Sequence, residues 1–273
     1  MSYECIAIDR IVKVGILTFK RERVLNAFDP QLIEETNAAM ADFVDDDEIG
    51  AVVVRGAGRA FSAGFDLKVS AQRKIDGPGE WAAVLRVDFD FIMQFWDCPK
   101  PTVAAVHGHC LAGAFELALA CDVTVAAEST MFGEPEVRFS SGIIALLLPW
   151  VTGPKQAKEL LLSGNDHIPA QRAYDFGLIN RVVPDGEEFN TALSIARDMS
   201  LCAAHSVRMT KLALNRTYEI MGMRQALHAA LDIDTLIEST VTPEKVEFKR
   251  IREEQSLKAA LAWRDAKFKD GDR

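Results

Sequence analysis

The sequence lacks the features that would commit it to a charged polymer, a membrane or a metal. Lys and Arg number 31 against 40 Asp and Glu, a net charge of −9, which argues against general affinity for nucleic acid or an anionic membrane surface. An anionic ligand would need a local basic patch. No run of eighteen apolar residues occurs, and Met1–Lys13 carries Glu4 and Asp9 where a signal peptide would be apolar, so a soluble cytoplasmic protein is expected. The five cysteines, Cys5, Cys98, Cys110, Cys121 and Cys202, are widely spaced and form no CxxC pair, which excludes a disulfide framework and a zinc ribbon. Gly56-Ala57-Gly58 is not followed by the Gly-Lys-Ser/Thr of a phosphate loop, and Phe61 stands where a dinucleotide fingerprint needs glycine. There is no G-x-S-x-G elbow. His107 and His109, with Cys110 and Cys121, resemble a ligand set if both imidazoles share one face of a strand, but no third ligand follows at a recognised spacing, and no metal is expected.

What is present suffices for a core: 273 residues, 49% hydrophobic and 26% charged, room for one large domain or one with an appendage. Residues 4–19 alternate as a pair of strands through Ile6, Ile8, Val12, Val14, Ile16 and Phe19. Asp29-Pro30 reads as a helix cap with proline in the first turn, and Ile33, Met40, Phe43 and Val44 follow at helical spacing. Ala51–Arg55 is a short buried strand; Trp81, Leu85, Phe89, Ile92 and Trp96 then mark a helix that ends before Pro99. Thr102–Val106, Val123–Ala126 and Arg181–Val183 read as strands and Gly113–Ala120 as a helix of small residues, which together predict an α/β fold. From about residue 187 the strand signal vanishes, and amphipathic segments such as Arg224–Ile237 and Glu244–Phe268 follow. Residues 1–186 are therefore expected to form the core and 187–273 a helical region packed on it or on another subunit.

Three segments carry candidate chemistry. The glycine-rich turn 56–67 follows a strand and can turn backbone NH groups toward a ligand. Val106–Glu116 runs from a strand through small residues into a helix start, where unpaired NH groups and the positive end of the dipole suit a developing oxyanion. Glu116 sits one turn into that helix among Phe115, Leu117 and Leu119, a costly place for an unpaired carboxylate. Phe132-Gly133-Glu134-Pro135-Glu136 supplies two more carboxyls, and nothing local chooses between Glu134 and Glu136.

In order, Ala-Phe-Ser-Ala-Gly-Phe-Asp-Leu at 60–67, Val-His-Gly-His-Cys-Leu-Ala-Gly-Ala-Phe-Glu at 106–116 and Phe-Gly-Glu-Pro-Glu at 132–136 resemble the crotonase superfamily of enoyl-CoA hydratases and isomerases. The resemblance extends to Arg23–Ala27, Ser163-Gly164, Ala173–Ile179 and the tail Lys267-Phe268-Lys269-Asp270. It implies a spiral of ββα units with a C-terminal helical trimerisation region, assembled as a homotrimer or a dimer of trimers. It also implies an oxyanion hole from the NH groups of Phe65 and Gly113, and an acid/base pair in Glu116 and Glu136. The substrate implied is an acyl-CoA thioester, with coenzyme A belonging to the substrate and not to a tightly bound cofactor. Arg21 and Arg23 are the nearest cations for its phosphates, and Ala63, Asp66, Leu67 and Lys68 match the stretch that lines the adenine and pantetheine path.

The sequence departs from the family pattern in three places. Val137–Leu146 replaces the Pro-Gly-rich turn of typical hydratases, Ala112 and Ala114 stand where glycine is common, and Trp263 falls near the usual position of a CoA-contacting lysine. Retention of both glutamates implies hydration. An isomerase, a decarboxylase, a thioester hydrolase or a non-catalytic acyl-CoA binder are the alternatives, and the acyl pocket is expected from residues 70–80 and 138–150.

Overall fold

Runs such as Ala51-Val52-Val53-Val54 and Thr102–Val106 are buried along their whole length, the mark of parallel strands covered on both faces. The computed structural model describes residues 3–73 and 75–268. Strands β1 (Ile6–Ile11) and β2 (Val14–Phe19) form an antiparallel hairpin and lead to helix α1 (Pro30–Asp45), whose first turn is capped where Asp29 Oδ1 accepts the Leu32 NH at 2.9 Å. Next come β3 (Ala51–Gly56), the short α2 (Leu67–Gln72) and the long α3 (Gly77–Asp97). The next turn of the spiral holds β4 (Thr102–Val106), β5 (His109–Leu111), α4 (Gly113–Ala120), β6 (Val123–Ala127) and β7 (Met131–Gly133). A 3-10 turn at Glu136–Phe139 precedes α5 (Leu148–Val151), α6 (Pro154–Ser163), β8 (Ile168–Pro169), α7 (Ala170–Asp175) and β9 (Arg181–Val183).

The main sheet has the order β1-β2-β3-β4-β6-β9 and is parallel beyond the opening hairpin. Period-two alternation sorts its side chains. Val52 and Val54 enter the main core with Phe19, Phe28, Phe61 and Phe91, while Ala51 and Val53 face a second layer of Val103, Ala105 and Val125. That second layer is closed by Ala192, Leu193 and Ala196 of α8 (Glu188–Leu201).

A smaller sheet, β5-β7-β8, was not foreseen. Its strands are two or three residues long, too short to show a period, and they form because Cys110 and Phe132 are wholly buried and pair side by side. His107 and His109 also fall differently from the strand placement considered above: Gly108 at φ 60° breaks the run between β4 and β5, His107 meets Gly58 O at 2.9 Å, and its Nδ1 lies 3.9 Å from Glu188.

The remaining helices are α9 (Ala204–Ile220), α10 (Met223–Ser239), α11 (Pro243–Glu254) and α12 (Leu257–Ala266). The segment read as one amphipathic run over 244–268 is broken at Gln255, where Ser256 caps α12 by accepting the Ala259 NH at 3.1 Å. Met223, Leu227 and Leu231 of α10 pack into the main core against α3. The hairpin of α11 and α12 folds back over the 3-10 turn, with Phe248 stacked on Phe139 at 5.9 Å between ring centroids. Lys269 and Asp270 of the tail motif lie outside the described residues. Among the described residues no helix is long and apolar enough to cross a membrane.

Candidate active site

The turn after β3 is held by one buried amide. Asn26, fully buried, donates from Nδ2 to the carbonyls of Ala57 and Ala60 at 2.8 Å each, and its Oδ1 accepts the Arg21 NH at 2.9 Å. Downstream, the Ser62 NH donates to His109 O at 3.1 Å and the Leu111 NH returns to Ser62 O at 3.2 Å, so the segment runs alongside β5. The Phe28 NH then takes Gly64 O at 2.8 Å and the Asp66 NH takes Phe28 O at 2.9 Å. The NH between them, that of Phe65, donates to no backbone carbonyl among the described residues.

Across from it, the Ala112 NH is used on Gly133 O at 2.8 Å, while the Gly113 NH opens α4 and is free of an intrahelical partner. The two free NH groups are brought together by close packing. Gly64 sits at φ 81°, and a Cβ there would lie 2.8 Å from Leu111 O and 2.9 Å from the Ala112 Cβ. The Phe65 ring in turn covers Gly113 so tightly that residue 113 has no room for a side chain. Ala112 reaches this geometry at φ 58°, ψ −136°, a conformation natural to glycine.

Three carboxyls converge beneath this pair. Glu116, Glu134 and Glu136 are 2%, 1% and 7% exposed and present oxygens within 4.8 Å of one another. Burial, reinforced by Glu136, lifts Glu116 well above the usual carboxylate range, although its Oε2 accepts the Ala145 NH at 3.0 Å. Burial beside Glu136 and Glu116 lifts Glu134 likewise. Among the described residues no donor reaches either oxygen of Glu134, which lies with Glu136 in a cluster whose oxygens are within 4.8 Å, and as a neutral acid it can donate to Glu136. Burial raises Glu136 too, but its own backbone NH and Glu134 moderate the rise, and it titrates at about 7. The spacing suits a cation, which would have to displace the protons that burial favours on Glu116 and Glu134. Both Glu134 and Glu136 point inward, so the question the sequence left open has a double answer.

The three acids share a cavity of about 340 Å³ only in part: Glu116 and Glu136 line it, with Phe65, Ala112 and Gly113 at one side and Trp81, Leu85, Ile144 and Phe248 elsewhere. Three more acids on its wall, Asp88, Asp234 and the half-buried Glu238, escaped the sequence reading. Asp88 of α3 is 5% exposed with Arg73 at 3.9 Å, and burial lifts it to about 6. Asp234 of α10 is 1% exposed, and burial with Glu238 nearby lifts it to about 7. Both lie on the apolar stripes of their helices, Asp88 with Leu85 and Ile92, Asp234 with Leu227 and Leu231, and that spacing was the signal available.

The residues read as a CoA path divide into two groups. Arg21 is turned inward, paired with Asp29 at 2.8 Å and Asp66 at 3.2 Å and bonded to Ala27 O, so its guanidinium is committed to the fold. Asp66 caps α2 through the Lys68 NH at 3.0 Å, and the Ala63 NH is tied to Leu25 O at 2.9 Å. Leu67 lines the cavity, while Arg23 and Lys68 are exposed cations nearby. Further cations on the cavity wall, Arg73, Lys245, Lys249 and Arg252, come from the end of α2 and from α11 and were not anticipated.

The sequence profile of the enoyl-CoA hydratase/isomerase family matches residues 11–270. A solved structure of an enoyl-CoA hydratase/isomerase from Xanthobacter autotrophicus Py2 is 48% identical, superposes with a TM-score of 0.95, and covers 98% of this chain and 99% of its own. A probable enoyl-CoA hydratase of Mycobacterium bovis is 35% identical over 245 residues, 84% of this chain and 91% of that protein. A probable enoyl-CoA hydratase of Rhizobium meliloti is 32% identical over 265 residues, 91% and 99% of the two chains.

Proposed function

The chain belongs to the enoyl-CoA hydratase/isomerase family, and on that premise we propose that it adds water across the α,β double bond of an enoyl-CoA thioester. The observation that carries this reading is the pairing of two unused NH groups, on Phe65 and Gly113, with two buried glutamates of different acidity on one cavity.

The thioester oxygen accepts both NH groups, each worth about 3 kcal/mol once charge develops on it. Glu136, the more acidic of the pair, takes a proton from water as the oxygen adds at Cβ, and the π electrons move onto the thioester oxygen as an enolate. Glu116, held protonated at neutral pH, delivers its proton to Cα and the enolate collapses. One water has been added. The enzyme resets when the proton on Glu136 passes back to Glu116 through the carboxyl cluster, whose oxygens lie within 4.8 Å.

Coenzyme A enters and leaves as part of the substrate. Arg23, Lys68, Lys249 and Arg252 are the groups proposed to meet its phosphates, since Arg21 is engaged with Asp29 and Asp66 and Lys245 with Glu238. Residues 187–273 are proposed to supply a homotrimer interface, because Leu212 and Leu214 of α9 and Ile233 and Leu236 of α10 are exposed. A reducing, cytoplasmic setting suits five free cysteines.

The test is turnover of a graded series of 2-enoyl-CoAs by wild type, Glu116→Gln and Glu136→Gln. Hydration requires both variants to lose at least about a hundredfold in kcat/KM. Full activity in either one, with double-bond migration in place of water addition, would replace hydration by isomerisation.

A further inference from the structure

Two acids away from the cavity, the exposed Asp122 and the half-buried Asp166, are paired with cations. Asp122 accepts Lys211 at 2.7 Å, and Asp166 pairs with Arg138 at 2.9 Å and Arg264 at 3.6 Å. On the cavity wall the neighbours of Asp234 are also compensated. Asp88 has the charge of Arg73 at 3.9 Å, although its Oδ1 accepts no hydrogen bond among the described residues, and Glu238 has Lys245 at 3.2 Å, the Gly142 NH at 3.3 Å and the Ser141 hydroxyl. Asp234 stands between them, 1% exposed, and among the described residues neither carboxylate oxygen accepts a well-formed hydrogen bond; the Gly142 NH and the charge of Lys245 offset only part of the cost of burying it. Its Oδ1 is pressed onto the Cα of Gly142, where any larger residue would collide with it. An orphan carboxyl in such a place is expensive, and a cavity that ends on one is built for a ligand that satisfies it.

The rest of that wall narrows the ligand. Trp81, Val84, Leu85, Ile144 and Phe248 supply the apolar part of a wall that also carries Arg73, Lys245 and Glu238, so the group that reaches Asp234 is carried on an acyl body with a substantial apolar face. A simple hydrocarbon chain would seal the carboxyl off unsatisfied. An ammonium would have to share the carboxyl with Lys245, whose positive charge already acts on it. A hydroxyl bonds to either form, as donor to the carboxylate or acceptor from the acid.

We propose that the acyl group of the substrate bears a hydroxyl beyond Cβ and that Asp234 of α10 is the specificity-determining residue that binds it, with Gly142 leaving the space this requires. The inference rests on the acyl-CoA reading of the cavity but not on hydration, because binding of an unreactive thioester reports it.

The experiment is calorimetric titration of wild type, Asp234→Leu and Asp234→Asn with hexanoyl-CoA and its 4-, 5- and 6-hydroxy derivatives, all saturated. In wild type at least one hydroxylated thioester binds about ten- to a hundredfold more tightly than hexanoyl-CoA. Asp234→Leu brings that ratio to about one, and Asp234→Asn, which keeps an acceptor oxygen, retains part of it. Thermal melts confirm that both variants are folded. Equal affinity for all four thioesters in wild type, or a preference that survives in Asp234→Leu, overturns the inference alone. No binding of any thioester by the folded wild type overturns the acyl-CoA reading together with it.

Discussion

The Ala145 NH donates to Oε2 of Glu116 across 3.0 Å, and nothing equivalent holds the free oxygen of Glu136. One glutamate is thereby fixed from the segment that replaces the usual Pro-Gly-rich turn, while the other is steadied by a protonated neighbour. Burial raises both, and the charge of Glu136 raises Glu116 further despite the Ala145 NH, whereas a backbone NH and Glu134 offset part of the rise at Glu136.

Glu134 should therefore set the pH at which the enzyme switches on. kcat/KM is expected to rise with pH through about 7 as Glu136 loses its proton. Replacing Glu134 with Leu removes a donor that favours the ionised form of Glu136, so the rising limb moves to higher pH. A pH–rate profile of Glu134→Leu that overlays wild type would remove Glu134 from this role.

Asn26→Ala should unfold the turn that carries Phe65. It strands the carbonyls of Ala57 and Ala60 and the Arg21 NH in a fully buried site, a loss of about 3 kcal/mol in urea unfolding. A change below about 1 kcal/mol would show that the turn holds itself.

Ala112→Gly is expected to stabilise the protein. Alanine at φ 58°, ψ −136° is strained by roughly 1–3 kcal/mol, more than the entropy glycine gives up in the unfolded chain, so a net gain of about 1 kcal/mol is expected. A lower melting temperature in the variant would contradict the strain.

The stability of Asp234→Leu relative to wild type should depend on pH. A carboxyl raised from 3.8 to about 7 by folding keeps its proton in the folded state between those values and loses it in the unfolded state, so wild-type stability falls as pH rises through that window. The penalty, on the order of 4 kcal/mol when complete, is absent in the variant. Glu116 and Glu136 feel the same charge and become somewhat more acidic when it is removed, which enlarges the effect. Denaturation at pH 5 and pH 7.5 measures the difference; an advantage for the variant that is the same at both values refutes it.

Most of the sheet was legible because Ala51–Arg55, Thr102–Val106 and Val123–Ala126 are continuous apolar runs, and the capped start of α1 was legible from Asp29-Pro30. The strands β5, β7 and β8 were not, since pairs of two or three residues leave no period to read. At the site, Glu116 stood out because an acid among Phe115, Leu117 and Leu119 demands explanation. Glu134 and Glu136 stayed equal because alternation around Pro135 says nothing about which side faces inward, and here both do. Asp88 and Asp234 went unread because a single acid on an apolar helical stripe looks like an ordinary boundary residue until the opposing wall is known. Arg21 was read as a phosphate ligand from its place in the chain, whereas its partners Asp29 and Asp66 come from segments whose approach only the fold reveals.

The stacking of Phe248 on Phe139 joins α11 to the turn that begins with Glu136. During synthesis, every group of the proposed acid/base chemistry has been made before residue 140, but part of the wall that closes over it, Asp234, Glu238 and Phe248 included, comes from beyond residue 230. A growing chain thus has its reactive groups long before it has a compartment to use them in. The two stretches can also change at separate times in evolution, one keeping the reaction and the other changing the acyl groups admitted to it.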